Sequence, residues 1–199
     1  MSSTEIELRG PLKAGDRERI ETFLRSEGAQ ETTYRDLGIF FNANDFAAFG
    51  KFEAASARLQ ANQKTYDDGR VEQVAKLKVG TADGHARQEH EMHFKGAGLR
   101  TFFEIVKFFG IKEASFRPCE RHDWTVGQIV LTLKFNHAIG DHYEAEMTNG
   151  SEATVREFLN KLGLTIWTGS EFKEVVMASR QGKYAYRPIE EGIVENNIQ

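Results

Sequence analysis

Three segments of this sequence place two glutamates one residue apart: Glu5 and Glu7, Glu89 and Glu91, Glu144 and Glu146. In each segment polar residues alternate with apolar ones. A period of two puts both carboxylates of a pair on one face of a strand. Arg9 extends the first face, Arg87 the second and His142 the third. Other alternating stretches present bases in the same manner: Arg58, Gln60 and Asn62; Glu72, Lys76 and Lys78; Arg117 and Arg121 on one hairpin arm, with Gln128, Thr132 and Lys134 on the other. Carboxylate oxygens are hard donors suited to Mg²⁺ or Mn²⁺. Arginine and lysine suit phosphate oxygens. Such faces either look onto open water or turn toward one another around a hollow. In a hollow they could not stay unpaired, because buried lone charges cost several kcal/mol each. It would need an anion for the bases and a cation for the carboxylates, and a polyphosphate with a divalent metal supplies both.

The elements that would position these side chains follow from the spacing of apolar residues. Strands are predicted over residues 5–9, 32–41, 57–63, 71–79, 86–94 and 142–148, with a hairpin over 116–136 turning at Thr125–Val126. Their opposite faces carry Ile6, Leu8, Leu59, Leu77, Val79, Met92, Phe94, Ile129, Leu131, Leu133, Phe135, Tyr143 and Met147. A helix is predicted over 15–28, with Asp16 as N-cap and Gly28 at its end. Others are predicted over 98–109, over 151–163 with Ser151 as cap and Val155, Phe158, Leu159 and Leu162 inside, and over 170–180. Residues 42–57 read as a short helix or an ordered loop. Strand, helix and several strands, then a second such block, make an α+β fold with a largely antiparallel sheet. The apolar strand faces are the natural cover for the helical stripes, which leaves the charged faces pointing the other way.

Composition narrows the classes. The chain has 199 residues, 40% hydrophobic, with a net charge of −4. One domain is expected over 1–187, and 188–199 reads as a flexible tail with little to bury. The acidic balance argues against a nucleic-acid partner. No apolar run approaches the ~18 residues of a spanning helix, and the charged N-terminus is no signal peptide, so no membrane partner is expected. The single Cys119 excludes an internal disulfide and fits a cytoplasmic location. It reads as a small buried residue. His90 and His93 fall on opposite faces of a strand, so they do not share a metal. Asp67–Asp68–Gly69 reads as a turn. Trp124, Phe40 and Phe41, like Phe102, Phe103, Phe108 and Phe109, read as core, although the first three could stack on a base.

Glu5-Ile-Glu7-Leu-Arg9 resembles the E-x-E-x-K opening of the CYTH superfamily, the triphosphate tunnel metalloenzymes that include class IV adenylate cyclases and thiamine triphosphatases. The motifs that follow keep the family's order. Ala57-Arg58-Leu59-Gln60 resembles its L-R-x-R strand, and Ala75-Lys76-Leu77-Lys78 its T-x-K strand. Arg87-Gln88-Glu89-His90-Glu91 resembles R-x-E-x-E, and Gly140 to Glu146 resembles G-x-[FY]-x-E-x-E. Glu120-Arg121 stands at the basic residue opening the second half. The similarity spans roughly residues 3–180.

The resemblance implies a closed eight-stranded antiparallel β-barrel with helices packed outside. It implies metal ligation by Glu5, Glu7, Glu144 and Glu146, with Mg²⁺ or Mn²⁺. It implies phosphate binding by Arg9, Arg58, Lys76, Lys78, Arg87, Arg121 and Lys134, and catalytic roles for Arg9, Glu5 and Glu89. Hydrolysis of a triphosphate small molecule (tripolyphosphate, a nucleoside triphosphate or thiamine triphosphate) by a monomer or homodimer follows. Cyclisation of ATP and binding without turnover are the alternatives. Three departures bear on turnover. Arg9 replaces a lysine and does not release its proton. Gln60 replaces a base. Lys134 or Asn136 stands near where many members carry a metal-binding aspartate.

Overall fold

A computed structural model of the chain describes residues 4–42, 57–79, 86–196 and 198, without the side chains of residues 4, 5, 57, 79 and 86–89. Most of the stretch left open between helix and loop, 43–56, lies outside the described residues. The elements are β1 (Thr4–Pro11), α1 (Asp16–Ser26), β2 (Gln30–Phe41), β3 (Ala57–Tyr66), β4 (Val71–Val79), β5 (Ala86–Phe94), α2 (Gly98–Phe108), β6 (Glu113–Val126), β7 (Ile129–Phe135), β8 (His142–Thr148), α3 (Glu152–Lys161), α4 (Gly169–Ser179), β9 (Arg187–Pro188) and α5 (Ile189–Glu195). The fold is α+β. The nine strands among the described residues belong to one antiparallel sheet, ordered β2-β3-β4-β5-β1-β8-β7-β6-β9. In addition β2 pairs with β6, from Gln30 opposite Thr125 to Phe41 opposite Ala114. No helix among the described residues is long and apolar enough to cross a membrane.

Local chemistry sets the boundaries. The β6–β7 turn falls at Gly127–Gln128, two residues later than expected, because the ladder runs on to Val126 opposite Ile129. Gly127 takes the positive φ of 59° that a two-residue turn demands, whereas the β-branched Thr125 and Val126 stay extended. At α1 the N-cap is Gly15 rather than Asp16. Asp16 is the first helical residue; its carboxylate accepts the Lys13 amide at 2.8 Å and pairs with Arg19 at 2.7 Å. Ser151 caps α3 as expected, accepting the Thr154 amide at 3.2 Å.

The sheet is covered on one side by two apolar clusters. The first joins Leu8, Leu131, Leu133, Tyr143 and Ala145 to Ile20 and Leu24 of α1 and Val155 and Leu159 of α3. The second joins Leu37, Ile39, Ala61 and Ala75 to Leu99, Phe102, Phe103 and Val106 of α2. Leu159 is fully buried, so its loss to alanine would cost about 2–5 kcal/mol. Two expectations are corrected here. Phe108 and Phe109 are exposed, at 86% and 53%, because they lie past the buried stripe at the end of α2. The C-terminal residues do have something to bury. Ile189, Ile193 and Ile198 enter the second cluster, and Gly192 lies against the Phe116 ring with no room for a Cβ.

Candidate functional site

Residues directly opposite in a ladder share a face. On β1 and β8, Glu7 opposes Glu146 and Arg9 opposes Glu144. On β7, Thr132 opposes Glu144 and Lys134 opposes His142. Arg121 of β6 opposes Lys134, and Asp123 opposes Thr132. Tyr34, Asp36 and Gly38 of β2 oppose Arg121, Cys119 and Arg117. Asn62 and Gln60 of β3 oppose Gly38 and Phe40. Arg58 opposes Lys78 of β4, and Lys76 opposes Gln60 and, on β5, Glu91. One polar face therefore runs from β1 through β8, β7, β6, β2, β3 and β4 to β5, turned away from both apolar clusters. It brings together Glu7, Arg9, Arg58, Lys76, Lys78, Arg121, Lys134, Glu144 and Glu146. The backbones of Glu5 and Arg87 are paired across β1 and β5, and Glu89 stands opposite Lys78. The side chains of Glu5, Arg87 and Glu89 lie outside the described residues.

Glu7, Glu144 and Glu146 each present an oxygen within 4.8 Å of the others. Glu7, Glu144 and Lys134 are buried. Arg9 donates from Nε to Glu144 Oε1 at 2.9 Å and pairs through Nη2 with Glu7. Lys134 Nζ donates to Glu144 Oε2 at 2.5 Å. Burial alone would raise the Glu144 pKa, but Lys134 and Arg9 outweigh it and hold the carboxyl well below its ordinary value. Burial alone would lower that of Arg9; Glu7 and Glu144 reverse this and keep the guanidinium charged. The clustered carboxylates offer hard oxygen donors, a set that suits Mg²⁺ or Mn²⁺. Lys134, at the position compared with a metal-binding aspartate, acts as a counter-ion of Glu144.

Two further groups on this face include residues that the motifs do not mark. Arg121 lies 3.5 Å from Asp36 and donates to Asp123 at 3.3 Å and Thr132 at 3.2 Å. Tyr34 donates to Asp123 at 2.6 Å, and Asn62 holds both oxygens of Asp36 at 3.1 and 3.0 Å. Nearer the start of β6, Arg117 is buried, with its Nε donating to Ser115 Oγ at 3.0 Å and its guanidinium 4.9 Å from the centre of the Phe40 ring. It has no carboxylate partner among the described residues, and burial pushes its pKa down. Strand parity was the available signal for Tyr34, Asp36 and Asp123, since each shares its face with a residue already singled out, as Arg117 itself was.

The remaining sequence candidates fall into place. Burial raises the Cys119 thiol to about 12, which leaves it unreactive. Trp124 and Phe41 are core, but Phe40 stands half-buried on the polar face. His90 and His93 are both exposed. Asp68 accepts the Arg70 amide at 2.9 Å across the turn at Gly69.

No family model matches the sequence, and no curated protein sequence matches it. Solved structures do. The PH1819 protein of Pyrococcus horikoshii superposes with a TM-score of 0.65 at 18% identity, covering 88% of this chain and 99% of its own. A proposed adenylate cyclase from Vibrio parahaemolyticus gives 0.58 at 14%, covering 89% and 100%. A proposed adenylyl cyclase from Hippeastrum, with a dominant triphosphatase activity, gives 0.55 at 16%, covering 93% and 100%. The chain shares the fold of these proteins over nearly its whole length.

Proposed function

We propose that this protein is an enzyme that binds and hydrolyses a triphosphate with the help of a divalent cation. The observation that carries this reading is the convergence of Glu7, Glu144 and Glu146 within 4.8 Å on the same sheet face as Arg58, Lys76, Lys78 and Arg121. Hydrogen bonding of β2 to both β3 and β6 supports a sheet that closes into an eight-stranded tunnel around this face. The shared fold with a Hippeastrum protein of triphosphatase activity supports the same reading.

In the proposed reaction Arg58, Lys76, Lys78, Arg87 and Arg121 hold the phosphate oxygens, and Arg9 and Lys134 add charge beside the carboxylates. Glu7, Glu144 and Glu146 would hold Mg²⁺ or Mn²⁺, with Glu5 alongside. The ion, when bound, supplies charge neutralisation at the phosphates. Water attacks the terminal phosphorus in line with the bridging oxygen. That P–O bond breaks, diphosphate leaves with the electron pair, and the water proton passes to a carboxylate, for which Glu5 and Glu89 are the candidates. Most of the acceleration comes from positioning and fixed charge. Arg9 contributes charge only, since a guanidinium pinned between two carboxylates does not act as a base.

That constraint also favours a second reading, in which the site retains a polyphosphate or nucleotide without turnover. Incubation with saturating Mg²⁺ or Mn²⁺ and tripolyphosphate, ATP or thiamine triphosphate separates the cases. Phosphate release is the expected result. Pyrophosphate with cyclic AMP would make the protein a cyclase, and binding without product would establish the second reading.

A further inference from the structure

Arg117 of β6 stands four residues before Arg121, on the same polar face, and is only 6% exposed. Two neighbours fix its pose. The Ser115 hydroxyl donates to the Tyr184 carbonyl at 2.7 Å, so its oxygen is left to accept from Arg117 Nε at 3.0 Å. The Phe40 ring lies against the flat side of the guanidinium, with its centre 4.9 Å away. Gly38 makes room for this stack. It opposes Arg117 across the β2–β6 ladder, and a Cβ there would come 3.0 Å from the Phe40 ring. Held in this way, the guanidinium keeps one edge free. The described residues offer its two terminal nitrogens no acceptor, and neither is sealed from solvent. Burial pushes the pKa of Arg117 down, and the like charge of Arg180 acts in the same direction. Arg121, by contrast, has Asp36 and Asp123 beside it. A buried cation without a counter-ion is unfavourable, so the site calls for an anion. The fork of a guanidinium matches two oxygens of one phosphate. Phe40 stands opposite the uncharged Gln60 of β3, and Gln60 opposite Lys76 of β4, so the stack adjoins the bases on those strands.

We infer that the terminal nitrogens of Arg117 bind two oxygens of one phosphate group of the substrate, beside the contacts proposed for Arg58, Lys76, Lys78 and Arg121. This inference rests on the proposed triphosphate reading and adds to it a base that no motif marks. With Nε and one ring face already engaged, the side chain has little rotamer freedom left to lose on binding. The bound phosphate supplies the counter-charge that the surrounding residues withhold.

Calorimetric titration of the full chain with tripolyphosphate at saturating Mn²⁺ tests this. Arg117→Met should weaken binding about tenfold, the value of one charge-assisted contact. Arg117→Lys, which keeps the charge without the fork, should weaken it less but measurably. Gln60→Arg returns a guanidinium to the same corner of the face, so Arg117→Met/Gln60→Arg should recover most of the loss. Urea unfolding without ligand separates binding from folding. The Arg117→Met midpoint should not fall, because the buried charge that is removed has no counter-ion. Unchanged affinity in Arg117→Met or in Arg117→Lys would overturn the inference and leave the triphosphate site standing. So would a lowered urea midpoint in Arg117→Met whose lost affinity Gln60→Arg does not recover. Absence of tripolyphosphate binding by the unsubstituted protein would overturn both.

Discussion

Two acidic clusters among the described residues differ in what each donor atom is doing. Glu21, Glu31 and His122 bring three donor atoms within 4.8 Å, as do Glu7, Glu144 and Glu146. Around His122 the donors are occupied. Its Nδ1 meets Glu31 at 3.0 Å, and its Nε2 meets Glu120 at 2.8 Å and Arg17 at 3.1 Å. Glu21 accepts from Arg17 at 3.0 Å and Arg25 at 3.1 Å. The result is a clamp that ties α1 to β2 and β6 on the helix-covered side of the sheet. Glu7, Glu144 and Glu146 lie on the polar face that also carries Arg58, Lys76, Lys78 and Arg121. Proximity of acids is thus shared by a clamp and by the proposed ligand site. The face of the sheet that each occupies is what separates them.

Glu146→Gln or Glu7→Gln breaks the comparison most sharply. Loss of one preorganised charge in a water-poor site should lower metal-dependent phosphate release by about 100-fold or more. Glu31→Gln in the other cluster should stay within about twofold. Equal rates across all three variants would erase the distinction. Stability gives a second contrast. Lys134→Met strips a buried carboxylate of one cation and should cost about 3–5 kcal/mol in urea unfolding without added metal. Arg25→Met removes a cation that is 56% exposed and should leave the urea unfolding midpoint nearly unchanged. On β3, Arg58→Ala should weaken tripolyphosphate binding about tenfold by calorimetry, the value of one charge-assisted contact. Unchanged affinity would remove Arg58 from the binding face.

The smallest effect is expected in acid. Burial raises the Asp123 pKa, but Arg121, Tyr34 and Thr132 together take it below its ordinary value. A depressed carboxyl contributes stability above its unfolded pKa of about 3.9 and loses it as pH falls through the lower folded value. Asp123→Asn should therefore narrow the difference in unfolding free energy between neutral and strongly acidic solution. An unchanged acid slope would show that Asp123 does not carry the effect.

The helices and strand faces were legible because burial imposes a period on the chain. Period-two spacing put Glu7, Glu144, Glu146, Arg58, Lys76 and Lys78 on polar strand faces, and the resemblance of their segments to family motifs picked them out from the other charges there. What spacing does not encode is the partner across the ladder. Nothing local to Tyr34 or Asp36 announces that β2 lies against β6, where Arg121 waits 85 residues away from Asp36. Arg117 was visible as a charge of the right parity, yet its burial depends on Ser115, Phe40 and the chain near Tyr184. At the C-terminus the helical spacing of Ile189 and Ile193 was present, but their acidic neighbours Glu190 and Glu191 make the segment look solvent-facing. Its burial is decided by the groove beside Phe116 and Ile111. For Phe108 and Phe109 the error ran the other way: composition suggested core, and their place at the end of α2 exposes them.

Calorimetric titration of the full chain with tripolyphosphate, with and without saturating Mn²⁺, tests the central claim most directly. The account predicts one binding site whose affinity rises with Mn²⁺ in the unsubstituted protein, and no Mn²⁺ dependence in Glu7→Gln/Glu146→Gln. Absence of binding by the unsubstituted protein, or an identical Mn²⁺ response in the double variant, would contradict it.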